Sequence, residues 1–470
     1  MLRRGVALAG RRPTCAAITF VVSSGDNFFL NLRQIFSIGS QTRLSYVYLF
    51  KWVVLALLAG STGALVVRVF SLLLDSISTA ILHWGVPLPL IPICGALVAG
   101  GIIYRLQPHA AGEGIPSYIR GIRVHKGDLL FSVTFYKFWA ALATLATFGN
   151  GGIVGPLGRT SAGSMALITR GLRRITSVFD EEDQKTSAIC GLAAAVGTIF
   201  HTPIGGGIFA VEIIQKARMG YKDLFPAILS SATATIICKL FGWDSFYPTH
   251  AGSDFMDHGM IGWLLLLALV AGLVGGAYPT LYSWITRIIK RKEGNVLLKV
   301  TLGSGVAGII GWLVHPQLMG TSSSLIDALV QGDLHLIVGN LGMIQSLGIV
   351  LLIALVVKAV CNCITVGSGM SAGFAGPAAI TGMLLGATAA CFLNVEIGSP
   401  TYAAFIAGGF ASMLASTMNI PLASAVMAVE IFGLQCSFPA GLSAIVGFQV
   451  TRHGTIYDYA LAGAGVAIDE

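Results

Sequence analysis

The chain has 470 residues, of which 55% are hydrophobic and 11% charged, with a formal net charge of +8 and a mean hydropathy of +0.80. A soluble domain carries roughly 25% charged residues, so a water-facing surface cannot be built and a soluble enzyme is excluded. The basic surplus lies in short stretches between apolar runs, which argues against a nucleic-acid partner and for membrane lipid as the surrounding phase.

Long charge-free runs separate these stretches, from Asp75 to Arg105, from Lys185 to Glu212 and from Lys358 to Glu396. About 20 apolar residues cross a bilayer as a helix, so the sequence predicts an all-α integral membrane protein. Residues 1–44 begin with Arg3, Arg4, Arg11 and Arg12 and contain few acids. Such a segment mimics a transit peptide, but reads more simply as a cytoplasmic basic segment leading into a helix. The clusters Arg120, Arg123 and Lys126, then Arg170, Arg173 and Arg174, then Lys216, Arg218 and Lys222 mark cytoplasmic loops. A further cluster, Arg287 with Lys290, Arg291 and Lys292, lies in the second half. Residues 245–260 hold no Lys or Arg but contain Asp254 and Asp257, as expected of an external linker over 241–257.

Two motifs occur twice. Gly152-Ile153-Val154-Gly155-Pro156 returns as Gly373-Phe374-Ala375-Gly376-Pro377. Pro203-Ile204 running to Glu212 returns, at nearly the same offset, as Pro421-Leu422 running to Glu430. The membrane region therefore divides into repeats over 45–240 and 258–452, followed by a C-terminal pore helix and tail over 453–470. Transporters often build their site where such repeats meet at mid-membrane.

The Gly-Pro motifs predict helices that begin inside the membrane, since non-helical backbone is tolerated there only against protein or a water-filled cavity. Pro fits the first turn of a helix, and the glycines before it leave N–H groups uncovered. With the positive end of the helix dipole, these donors form an anion site without a full positive charge. Three starts are candidates: Gly112-Glu113-Gly114-Ile115-Pro116, Gly152 to Pro156, and Gly373 to Pro377. Glu212 and Glu430 are intramembrane carboxylates, and so functional candidates, although their repeat equivalence fits a helix-end role equally well. The eight cysteines read as small buried residues, and the nine histidines show no metal-ligand spacing. No metal, cofactor, nucleophilic triad or phosphate-binding loop is predicted.

These motifs resemble the CLC family of chloride channels and proton-coupled chloride transporters over roughly residues 45–465. The family's GSGIP pattern is matched at Gly112 to Pro116 with Glu113 in place of Ser, G(K/R)EGP at Gly152 to Pro156, and GxFxP at Gly373 to Pro377 with the aromatic at Phe374. Gly454-Thr455-Ile456-Tyr457-Asp458 is similar to the segment whose tyrosine reaches the central anion. The resemblance implies a CLC-like fold of about 17–18 tilted and broken helices in two inverted repeats. It further implies a homodimer with one pore per subunit, a bacterial inner-membrane location with both termini cytoplasmic, and no cytoplasmic nucleotide-binding modules. The N–H groups of Phe374 and Ala375 and the hydroxyl of Tyr457 would hold the central anion, and N–H groups around Ile153, Val154 and Gly155 an outer one. Lys137 precedes Pro156 at a spacing that resembles the family's lysine on the preceding helix. Lys137 and Arg159 are possible partners for buried negative charge.

Three departures bear on mechanism. The gating glutamate of G(K/R)EGP is Val154, and the inner proton glutamate of exchangers is Ile213. Passive, uncoupled passage of chloride or another small anion is the first expectation. At Glu113, two like charges about 4 Å apart repel by roughly 4 kcal/mol at an effective dielectric near 20, or about three orders of magnitude in affinity. Glu113 is thus protonated, neutralised by a partner such as Lys137 or Arg159, or turned away from the pore. Its role is then a quiet one at a helix N-terminus, where carboxylates are favoured, or that of a relocated gate or proton-carrying group, which is the basis for proton-coupled exchange as the alternative, or the mark of a changed substrate. A transporter of organic solutes is a third reading.

Overall fold

The structure is a computed structural model that describes residues 26–176, 178–215, 220–247, 255–291, 295–334, 346–452 and 454–458, with side chains from residue 49 onward except that of Gln215. The arginines of the first twelve residues, Lys216, Arg218, Asp254, Lys292 and the tail beyond 458 lie outside it. Two units divide the chain, Met1–Lys51 and Trp52–Glu470. The division falls within the first helix, as does the boundary expected after residue 44.

Among the described residues, eight helices precede the linker: α1 (Asp26–His83), α2 (Ile91–Gly101), α3 (Ile115–Arg123), α4 (Phe131–Leu145), α5 (Val154–Ile175), α6 (Glu181–Phe200), α7 (Gly205–Gln215) and α8 (Tyr221–Leu240). Eight described helices follow it: α9 (Ile261–Arg291), α10 (Val296–Val314), α11 (Ser323–Gln331), α12 (Leu347–Gly367), α13 (Ala375–Phe392), α14 (Pro400–Met418), α15 (Pro421–Phe432) and α16 (Ser437–Val450). Eight spans among the described residues are long and apolar enough to cross a membrane. Leu265, Leu266, Leu269 and Leu273 of α9 are exposed, as a lipid-facing stripe requires. At the centre the rule reverses and small residues let backbones touch. A methyl added to Gly382 of α13 would lie 2.4 Å from the carbonyl oxygen of Gly409 of α14.

The two halves meet at a pair of equivalent glycines. Gly152 N–H donates to Gly373 O at 2.9 Å, and Gly373 N–H donates to Gly152 O at 2.7 Å, in an antiparallel bridge. A contact in which residue i meets j as j meets i is the mark of a twofold relation, and the antiparallel sense makes the equivalent segments run oppositely. The carboxylates obey the same symmetry. Glu212 accepts from Leu422 and Ala423 N–H at 3.1 and 2.7 Å, capping α15, while Glu430 accepts from Ile204 and Gly205 N–H at 2.9 and 2.8 Å, capping α7. Each satisfies donors that a helix start leaves unpaired. His201 and Asn419, separated by the same interval as the two glutamates, both end helices in the left-handed region, at φ 54° and 62°.

Charge-assisted bonds of this kind are worth about 1.5–3 kcal/mol each. Removing either carboxylate by substitution to Ala is therefore expected to lower the melting temperature in detergent. The loss should be larger for Glu212, which is 4% exposed, than for the half-buried Glu430. Lost transport at an unchanged melting temperature would instead make Glu212 part of the pathway.

Seven of the cysteines fall within the described residues, all as free thiols. The expectation that all are buried fails for Cys94, which is exposed, and Cys391, which is half-buried. An exposed thiol on α2 is compatible with a lipid-facing position, where a small apolar side chain needs no partner.

Candidate functional site

The three Gly-Pro segments open α3 at Ile115, α5 at Val154 and α13 at Ala375, with the proline inside the first turn each time. Their starts converge on one side chain. Glu113 is 6% exposed, and its Oε2 accepts from Ile115 N–H at 2.5 Å, the first N–H of α3. Phe374 N–H, at the start of α13, faces the same carboxylate. On the α5 side, a methyl added to Gly155 would lie 2.0 Å from Oε1. Oε1 itself is buried and has no hydrogen-bond partner. The helix starts expected to receive an anion thus converge on the protein's own carboxylate, which accepts from the first N–H of α3 as carboxylates do at helix N-termini.

The loop before α3 is fixed from behind. Gly112 takes φ +64°, a left-handed conformation that glycine adopts freely. Lys137 on α4, 1% exposed, donates to the carbonyls of Ala110 and Ala111 at 3.0 and 3.2 Å and also to that of Gly112. Its ammonium lies close enough to Glu113 to interact electrostatically and also meets the charge of Arg159. Arg159 on α5 is 3% exposed, donates to Thr134 Oγ1 at 2.9 Å, and leaves its Nε unpartnered.

Aromatic rings wall the other side. Phe374 is fully buried, with Tyr282 and Tyr278 of α9 edge-on to its ring at 4.8 and 6.3 Å. Tyr457 is 1% exposed, its hydroxyl donates to Met418 Sδ at 3.3 Å, and it feels the charge of Glu113. Ala375 is buried at the first position of α13. Gly114 caps α3, and a methyl there would sit 2.0 Å from Gly155 O, so the starts of α3 and α5 touch. On the linker side, Ile153 and Val154 line a small cavity with Phe246, Tyr247, Thr321 and Ser323.

Lys358 on α12 was not singled out by the sequence reading. It is fully buried and donates to Leu318 O and Gly320 O at 3.1 and 2.8 Å, to Ser322 Oγ at 2.6 Å and to Asn150 Oδ1 at 3.3 Å. It precedes Pro377 by the same interval at which Lys137 precedes Pro156. That spacing is the signal that would have found it.

A sequence model of the voltage gated chloride channel family matches residues 94–452, which include all three helix starts and both lysines. The chain belongs to this family, the CLC family. It is 27% identical over 442 residues to a chloride/fluoride channel protein of Pseudomonas syringae pv. tomato, covering 87% of this chain and 86% of that one. It is 26% identical over 416 residues to an uncharacterized protein of Methanocaldococcus jannaschii, covering 88% and 96%. Its fold matches the crystal structure of a CLC-type fluoride/proton antiporter with a TM-score of 0.74 at 21% identity, covering 87% of this chain and 98% of the other. The protein is thus a multi-pass CLC membrane protein, and the organic-solute reading falls away.

Among CLC positions, Val154 is fully buried and Ile213 is 5% exposed. Glu212, the carboxylate beside Ile213, has both oxygens engaged by the start of α15.

Proposed function

We propose that this CLC protein passes chloride or another small anion across its membrane passively, without coupled proton transport. The observation that carries this reading is the pair of buried aliphatic side chains, Val154 and Ile213, where the family pattern has its proton-bearing glutamates. A coupled exchanger must hand a proton from one side to the other, and neither side chain can bind one. Glu212 is no substitute, since its oxygens cap a neighbouring helix. The pathway lies within a single chain, so the homodimer implied by the family would hold two. The distribution of basic clusters supports a cell-membrane orientation with both termini cytoplasmic.

The test uses purified protein in liposomes under opposed chloride and proton gradients. The reversal potential is expected at the chloride equilibrium value whatever the pH gradient. A reversal potential displaced by the proton gradient would refute passive transport.

A further inference from the structure

The passive reading, which rests on Val154 and Ile213, leaves the buried Glu113 without an assigned part. A carboxylate is itself a small anion, and this one sits where three helix starts meet. It takes one N–H from Ile115, faces that of Phe374, and lies against the α-carbon of Gly155. With one oxygen paired and the other buried without a partner, it is held but not saturated.

The groups around it come from every adjoining element. Lys137 of α4, Tyr282 of α9 and Tyr457 of the C-terminal turn lie near enough to feel its charge, Arg159 of α5 feels that of Lys137, and Tyr278 lies beside the Phe374 ring. α3 and α13 contribute uncharged N–H groups. Lys137 and Arg159 in their charged forms outweigh an ionised Glu113 by one positive charge, and a protonated Glu113 by two. Protonation therefore removes the local repulsion and adds an O–H donor aimed at the same spot.

We propose that Glu113 is a tethered occupant of the central anion site, and that a diffusible anion takes this site only when Glu113 is protonated or withdrawn. This rests on the reading of the protein as an anion pathway. The proton binds a carboxylate oxygen and returns to the solution it came from, so gating needs no net proton transfer across the membrane. Low pH opens the pathway and high pH closes it.

The experiment follows chloride efflux from proteoliposomes of the full chain between about pH 4.5 and about pH 8, with a pH-sensitive dye reporting proton movement. Wild-type flux is expected to rise as pH falls, by up to ~10-fold per unit across the titration of one carboxyl group. Glu113→Gln resembles the protonated side chain and cannot ionise, so its flux should stay high and flat. Wild-type flux independent of pH, or a Glu113→Gln variant that keeps the wild-type profile, overturns the proposal. Calorimetric titration of chloride into wild-type protein needs no variant to fold: binding at least ~10-fold tighter at the acid end is expected, and equal affinity at both ends overturns the proposal. Stoichiometric proton movement in the dye signal would refute passive transport and leave the gate standing. Absence of flux at every pH would refute the anion pathway, and calorimetry would then decide Glu113 alone.

Discussion

Gly114→Ala is expected to abolish the folded protein, although it adds a single methyl group to a helix terminus. That methyl would lie 2.0 Å from the carbonyl oxygen of Gly155 and 2.5 Å from its carbon, both backbone atoms that no rotamer change can move. The starts of α3 and α5 would have to separate, and α5 is tied through Gly152 to Gly373 at the twofold centre. Overpacking a well-filled core costs about 1–3 kcal/mol where side chains can adjust; here only backbone can, so the cost should exceed that range. Gly171→Ala in the same α5 is the matched control. No atom lies within 4 Å of its added methyl, so the helix should gain about 0.5–1 kcal/mol. Size-exclusion profiles and melting temperatures of the two variants in one detergent make the comparison. A monodisperse Gly114→Ala protein with wild-type melting behaviour would mean that the helix starts do not need their close approach.

Glycine at these starts was legible in the sequence, because a repeated GxxGP pattern within charge-free runs has few structural uses. The equivalence of Glu212 with Glu430 followed from the same spacing. The second pair of equivalent short helices did not. α3 and α11 each span nine residues, each follows a glycine at φ +64°, and each lies beyond a loop clamped by a buried lysine. Yet Gly112-Glu113-Gly114-Ile115 and Gly320-Thr321-Ser322-Ser323 share only their first residue. Backbone geometry and the lysine clamp persist where side-chain identity has drifted. Lys358 is obscured for a related reason. It bounds a charge-free run and reads as the end of a span unless its distance to Pro377 is set beside that of Lys137 to Pro156. The direction of the Glu113 side chain was beyond sequence reasoning altogether. It depends on α5 and α13 arriving beside α3, which is a tertiary event.

Moving the carboxylate from α3 to α5 should change anion affinity more than any other substitution considered. In the double variant Glu113→Ser with Val154→Glu, the central site loses its resident charge and gains a hydroxyl. The new glutamate stands at the first position of α5, where the helix dipole favours a negative charge. Val154 borders the small cavity shared with Thr321 and Ser323, which offers a longer side chain somewhere to go. Removing a like charge about 4 Å from the anion relieves roughly 4 kcal/mol at an effective dielectric near 20, so chloride affinity at neutral pH should rise by up to about three orders of magnitude. Val154→Glu alone, with Glu113 retained, places two carboxylates at adjoining helix starts and should lower flux below wild type at neutral pH. Chloride titration of the double variant that matches wild type would mean that the Glu113 carboxylate does not fill the site. If transport is passive as proposed, neither variant should exchange protons for chloride, because Ile213 cannot bind a proton. On the passive reading proposed above, a gate and a proton route are separate constructions, and restoring the first leaves the second unbuilt.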